Sequence, residues 1–264
     1  MKTIEIKAPY LIFLGEETNR LYAKTGSGIV DWRPDLCKGQ MSLIDNGLDL
    51  GLPNMTIEDA VDAGIKSFVI GTASVGGGIP PQWLGVMEQA LDAGMDIVGG
   101  VHKKLNDIPR LVNAAQKSGA QLVDVRVPPE NIPVGSGKKR SGKRILMVGT
   151  DCAVGKKYTA LALERDMKKA GIDADFCASG QTGIMIAGRG IPIDAVVADF
   201  LSGAAELLSP DNNPNHWDVI EGQGGIFHPG YSSVSMGLLI GSQPDAFIVC
   251  HEAGRKKIGE WEDF

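Results

Sequence analysis

The chain has 264 residues, 43% hydrophobic and 22% charged, with a net charge of −6 and a pI near 5.3. That length suits one large or two medium domains, and the acidity excludes a generic nucleic-acid binder, which needs a basic surface. No apolar run approaches the roughly 20 residues of a bilayer span, Met1 to Lys7 has no apolar signal segment, and Cys37, Cys152, Cys177 and Cys250 show neither metal spacing nor a disulfide framework. A cytoplasmic protein is the expectation.

Taken in chain order, short apolar runs alternate with amphipathic stretches, the pattern of parallel α/β architecture. Tyr10 to Leu14 reads as a buried strand stopped by Gly15. Thr56 to Ala63 opens with a capping-box-like Thr56-Ile57-Glu58-Asp59. Ser67 to Ile70 ends at Gly71, helix Gln82 to Ala93 follows, and Met95 to Val98 ends at Gly99-Gly100. Helix Asp107 to Ser118 and strand Gln121 to Val125 close the first half. Pro128 to Lys143 carries three prolines, three glycines and the basic run Lys138-Lys139-Arg140, continued by Lys143-Arg144; it reads as a solvated linker.

A second α/β series then begins: strand Arg144 to Val148, helix Lys156 to Ala170, strand Ala174 to Cys177, helix Ile193 to Leu208, and strands Trp217 to Glu221 and Ala246 to Cys250. The organisation expected is an N-terminal Rossmann-like α/β domain over 1–127, a linker over 128–143, and a P-loop parallel α/β domain over 144–264.

The first strand of that second domain runs into GTDCAVGKKYT, Gly149 to Thr159. A strand, a Gly-bounded loop and a helix present backbone N–H groups to an anion at a helix N-terminus, and Lys156 adds a point charge. The hydroxyl that usually follows this lysine binds Mg²⁺. Here Lys157 takes its place, and Thr159, two residues on, points about 200° around the helix. The loop keeps its anion-binding parts and lacks the usual metal ligand. Asp218 to Gly225 is an apolar strand ending in Glu221 at a carboxyl edge, where open α/β sheets bind ligands.

The segments GTDCAVGKK and EGQGG, in that order, resemble the P-loop and later acidic strand of dethiobiotin synthetase and its relatives. Over both halves the chain is similar to a two-domain family formerly of unknown function, one branch of which is the D-glutamate N-acetyltransferases. The matching stretches are AKTGSGIVDWRP (Ala23 to Pro34), GTASVGGGIP (Gly71 to Pro80), GTDCAVGKKYTA, Ala178 to Glu206 and EGQGGIFHPGYS (Glu221 to Ser232). The resemblance implies N-acetylation of an acidic D-amino acid with acetyl-CoA, no metal, and a homo-oligomer without nucleic-acid or membrane partners. Members of the family usually continue well beyond the equivalent of Phe264.

Within that reading, Asp151, Cys152, Ala153, Val154, Gly155, Lys156, Lys157, Tyr158 and Thr159 are expected to grip the phosphates of CoA without Mg²⁺, which gives Lys157 a purpose. His228 is the expected general base for the substrate amine, with Glu221 orienting it or standing in for it. Cys152 at a helix N-terminus allows a covalent acetyl-cysteine route, although a small residue there also simply fits the turn. Gln181, Arg189, Asp199, Ser202 and Gln223 are the substrate-binding candidates, with Lys24 and Arg33 in the first domain. The loop Ser74 to Gly78 and His102 also follow strand ends. The alternatives are an ATP- and Mg²⁺-dependent kinase or ligase, and a nucleotide- or CoA-binding regulatory protein.

Overall fold

The computed structural model describes residues 2–20, 22–72 and 77–258. They form two compact units: Ile4–Arg126, and the described parts of Met1–Thr3 and Val127–Phe264. The two-residue strand β1 (Lys2–Thr3) therefore goes with the second unit.

The first unit runs β2 (Tyr10–Gly15), α1 (Lys24–Trp32), β3 (Cys37–Ser42), α2 (Ile57–Asp62), β4 (Ser67–Ile70), α3 (Trp83–Asp92), β5 (Asp96–Gly99), α4 (Pro109–Ser118) and β6 (Leu122–Asp124). All five strands are parallel, in the order β3-β2-β4-β5-β6, a doubly wound sheet whose order reverses between β2 and β4. Strand β2 is buried along its whole length, as its unbroken apolar run requires. Phe13 stacks at 4.7 Å on Phe68 and meets Trp83 edge-on at 5.1 Å; each such ring, fully buried, contributes about 1.5–3 kcal/mol. Thr56 and Asp59 close a reciprocal capping box on α2, and Pro109 opens α4. The 105–107 stretch before it is a 3₁₀ turn rather than the helix start read from the sequence. Helix α1 and strand β3 were not legible: Gly26, Ser27 and Gly28 interrupt one, and Lys38, Gly39 and Gln40 the other.

The second unit continues with β7 (Lys143–Gly149), α5 (Lys156–Lys169), β8 (Ala174–Cys177), α6 (Gln181–Ala187), β9 (Arg189–Gly190), α7 (Leu201–Leu208), β10 (Trp217–Ile220), α8 (Ser232–Ser242) and β11 (Ala246–Cys250). Its four-stranded parallel sheet has the order β11-β7-β10-β8, and β1 pairs antiparallel with β9. Leu146, Ile193, Ala204, Leu208, Ile220 and Leu238 join α7 and α8 to one face of the sheet.

Two expectations need correction here. The helix read over 193–208 is α7 preceded by two 3₁₀ turns, Ile193–Ala195 and Ala198–Phe200, because Val196 and Val197 between them are extended. The basic run is not uniformly solvated. Arg140 is buried and donates to Gly241 O at 2.8 Å and Ser242 O at 2.9 Å, where α8 ends. Arg144, also buried, donates to the carbonyls of Ser141, Ser209 and Pro210. A helix end leaves its last carbonyls without partners, and these guanidinium groups supply them. Glu206 of α7 likewise accepts the N–H groups of Ser136 and Gly137. The segment is docked on the second unit by hydrogen bonds, with Lys138 and Lys139 left exposed.

Candidate active site

All four strands of the second sheet point the same way, so their following loops share one edge. Strand β7 lies between β10 and β11, and β10 lies between β7 and β8. That order sets the phosphate loop beside Glu221, and Glu221 beside Ser179-Gly180. Gly222 and Gly225 allow the approach: a Cβ on Gly225 would come within 2.7 Å of the Asp151 Cα, and one on Gly222 would collide with Met147 O.

The loop itself turns through Ala153 at φ 55 and Gly155 at φ 96, the left-handed region where glycine is at ease. Helix α5 then starts at Lys156, whose buried Nζ donates to Asp151 O at 2.8 Å. Burial pulls this ammonium below its ordinary value, and the charge of Cys152 is the foremost influence in the other direction. Asp151 is buried; its Oδ1 accepts from Cys152 N at 2.6 Å and its Oδ2 from Arg255 Nη1 at 2.6 Å. Arg255 also donates to Cys152 O at 2.8 Å and to Glu252. Thr159 donates back to Gly155 O at 3.1 Å, so its hydroxyl serves the helix.

Glu221 is buried, and its Oε2 accepts from Ser179 N at 2.9 Å and Gly180 N at 3.0 Å, at the start of α6. Burial pushes its carboxyl up to about 7, while the Lys157 ammonium is the strongest influence toward the charged form. Lys157, standing where a metal-binding hydroxyl is usual, is thus a built-in counter-cation for the strand-end acid. Its Nζ also lies 4.9 Å from the centre of the exposed Tyr158 ring.

His228 is buried, stacked on Tyr231 at 4.5 Å, and its Nδ1 accepts from Gly230 N at 3.1 Å. That bond puts the proton of the neutral ring on Nε2, so the ring offers a donor there. A ring nitrogen of His228, the Cys152 Sγ and an Asp151 carboxylate oxygen lie within 4.8 Å of one another. The carboxylate that comes to His228 is therefore that of Asp151; the Glu221 oxygen described above is turned to Ser179 and Gly180. An apolar cavity of about 400 Å³ opens beside the loop, lined by Leu146, Val148, Leu239, Phe247 and Val249, with Thr150 and Gln223 at its polar side.

Of the substrate candidates, Gln223 and Gln181 lie on this edge. Gln223 donates to Ser179 Oγ at 3.0 Å, and Gln181 begins α6. Arg189 is paired with Asp175 at 2.9 Å on β9. Asp199 is exposed in a 3₁₀ turn, and Ser202 packs against Gly135. In the first unit, Lys24 opens α1 and Arg33 follows its last residue, paired with Asp35 at 3.1 Å. The two cations are nine positions apart, on the order of 13 Å along the helix. Ser74 to Gly76 lie outside the described residues, and His102 is exposed. Arg255, Ser179 and Gly180 were missed, although each follows the end of a parallel strand at the ligand edge, and that position was a usable signal.

A parallel sheet whose first strand feeds a Gly-bounded anion loop and a lysine at a helix N-terminus defines the second unit as a P-loop domain; the first is a doubly wound α/β unit. Family models agree for both: a domain of unknown function, DUF1611_C, P-loop domain, matches residues 133–264, and its partner DUF1611_N, Rossmann-like domain, matches 37–128. The chain belongs to this DUF1611 family. It is 51% identical over 98% of its length to a D-glutamate N-acetyltransferase from Tritonibacter scottomollicae, spanning 78% of that protein. It is 48% identical over 96% of its length to another so named from Pseudoalteromonas sp, spanning 76% of it. The crystal structure of a DUF1611 family protein from Anabaena variabilis superposes with a TM-score of 0.87 at 35% identity, over 96% of this chain and 77% of that one. No helix among the described residues is long and apolar enough to cross a membrane.

Proposed function

We propose that the chain transfers the acetyl group of acetyl-CoA to the amine of D-glutamate. The observation that carries this reading is 51% and 48% identity, over nearly the whole chain, to two proteins bearing the name D-glutamate N-acetyltransferase. The chemistry of the site is compatible with it. Acyl transfer to an amine needs donors for a developing oxyanion, cations for carboxylates and a group that handles protons. The loop N–H groups at the start of α5, Lys156 and His228 are the residues we assign to these tasks. Lys157 neutralises Glu221 and removes the hydroxyl on which Mg²⁺–phosphate chemistry usually rests. We assign substrate selection to Gln181 and Gln223, and the apolar cavity is where we seat the uncharged arm of the donor.

The test is incubation with acetyl-CoA and a panel of D- and L-amino acids, with free thiol and acetylated product both measured. Thiol release is expected with D-glutamate above all others. No acetylated product from any amino acid, together with Mg²⁺-dependent ATP turnover, would turn the assignment toward a kinase or ligase.

A further inference from the structure

The thiol of Cys152 stands in surroundings that make a nucleophile. It sits in the loop before the 14-residue α5, at the positive end of the helix dipole. Its Sγ lies within 4.8 Å of a His228 ring nitrogen. The Lys156 ammonium responds to it more than to any other charge. The nearest negative group, Asp151, is covered by Arg255 at 2.6 Å. Cys152 is also partly exposed, whereas Cys177 and Cys250 are buried. Cations and a helix N-terminus favour thiolate, and access lets it react.

A metal ion on the same three side chains is the competing use of the cluster. Arg255 argues against it, because its guanidinium already holds the Asp151 oxygen and would face the ion.

The geometry also divides the donor molecule. In acetyl-CoA the phosphates and the thioester are separated by the whole pantetheine arm. With Cys152 on the loop and His228 reaching it from the segment after β10, a phosphate gripped there would leave both far from the thioester. The acetyl end at the loop brings everything to bear.

We propose that Cys152 carries the acetyl group as a covalent thioester, with the donor's acetyl end at the loop and its phosphates elsewhere. This rests on the acetyltransferase reading. The Cys152 thiolate attacks the acetyl carbonyl, the loop N–H groups hold the oxyanion, and the bond to the CoA sulfur breaks, CoA leaving as thiolate and taking the Nε2 proton of His228. The substrate amine then attacks the acetyl-cysteine; the C–Sγ bond breaks, the nitrogen loses its proton to His228 Nε2, and the Cys152 thiolate is restored.

The test mixes the full chain with acetyl-CoA alone, quenches in acid, and measures intact mass and the modified peptide. Wild type and Cys37→Ala, whose thiol lies in the first unit, should gain one acetyl group; Cys152→Ala and Cys152→Ser should gain none. Adding D-glutamate should clear the label as N-acetylated product, and initial rates should give the parallel lines of a ping-pong scheme. Turnover should fall at least about 100-fold in both Cys152 variants. Normal turnover in Cys152→Ala, with no label on wild type after rapid quenching, overturns this inference and leaves the acetyltransferase reading standing. Label without any product from D-glutamate supports it and overturns the substrate instead. Neither label nor product overturns both.

Discussion

Arg255, five residues past the end of β11, donates at 2.6 Å to the buried carboxylate of Asp151 and thereby ties the last described loop to the phosphate loop. Asp151 has no exposed surface to speak of, so the pair replaces hydration that the carboxylate has lost. Arg255→Ala should lower the thermal midpoint, and Asp151→Asn should lower it by less in that background than in wild type. A double-mutant cycle is expected to give a coupling of about 1–3 kcal/mol. Additive effects would mean that the contact does not hold the loop.

Lys156 and Lys157 should respond differently to removal. Lys156→Ala takes away a cation that feels the charge of Cys152 and should reduce kcat by about 10- to 100-fold, the size of a charge-assisted hydrogen bond. If the acetyl end lies at the loop, KM for acetyl-CoA should change little. A rise in KM with kcat preserved would return the CoA phosphates to the loop. Lys157→Thr recreates the ordinary loop sequence, and it should confer no Mg²⁺-dependent ATP turnover while weakening acetyl transfer.

His228 has its Nδ1 occupied by the Gly230 N–H, which leaves Nε2 as a donor. His228→Ala should reduce kcat by ~10²–10⁴-fold. His228→Gln keeps a side-chain N–H and should retain more activity than the alanine variant. Equal losses in the two variants would make the ring a general base acting through its other tautomer.

Glu221 gives a pH signature. Its carboxyl rises from 4.5 in the ordinary state to about 7 in the fold, chiefly through burial. The folded chain therefore binds a proton that the unfolded chain has released, and stability from this group is complete below about pH 4.5 and lost as pH rises to about 7. The difference amounts to about 3 kcal/mol. Glu221→Gln should flatten the fall in thermal midpoint over that window relative to wild type. An unchanged slope would show that the carboxylate is held charged by Lys157 and the two N–H groups.

Much of the fold was legible because buried parallel strands are short unbroken apolar runs. Ser67–Ile70 and Ala174–Cys177 are read from composition alone. The loop at 149–159 was legible for a different reason: its glycines and lysine have one job in one local geometry. What composition cannot convey is which strand ends become neighbours. His228 reads as a partner of Glu221 because the two are close in sequence, yet the cluster it enters is with Asp151 and Cys152, more than seventy positions earlier. Arg140 reads as solvated for the same reason. Its carbonyl partners, Gly241 and Ser242, lie about a hundred residues on, and no local pattern announces them.

Strand β1 pairs Lys2 with Gly190 and Thr3 with Arg189, while residues 4–126 build the other unit. In chain order the first unit is thus an insertion into the second. During synthesis, at 5–20 residues per second, Lys2 and Thr3 wait roughly 10–40 s for their partners, time enough for the inserted sheet to close by itself. A protein cut at Val127 to isolate the P-loop unit would leave Arg189–Gly190 as an open edge. The boundary that looks natural on a linear map is one from which the severed half cannot be recovered whole.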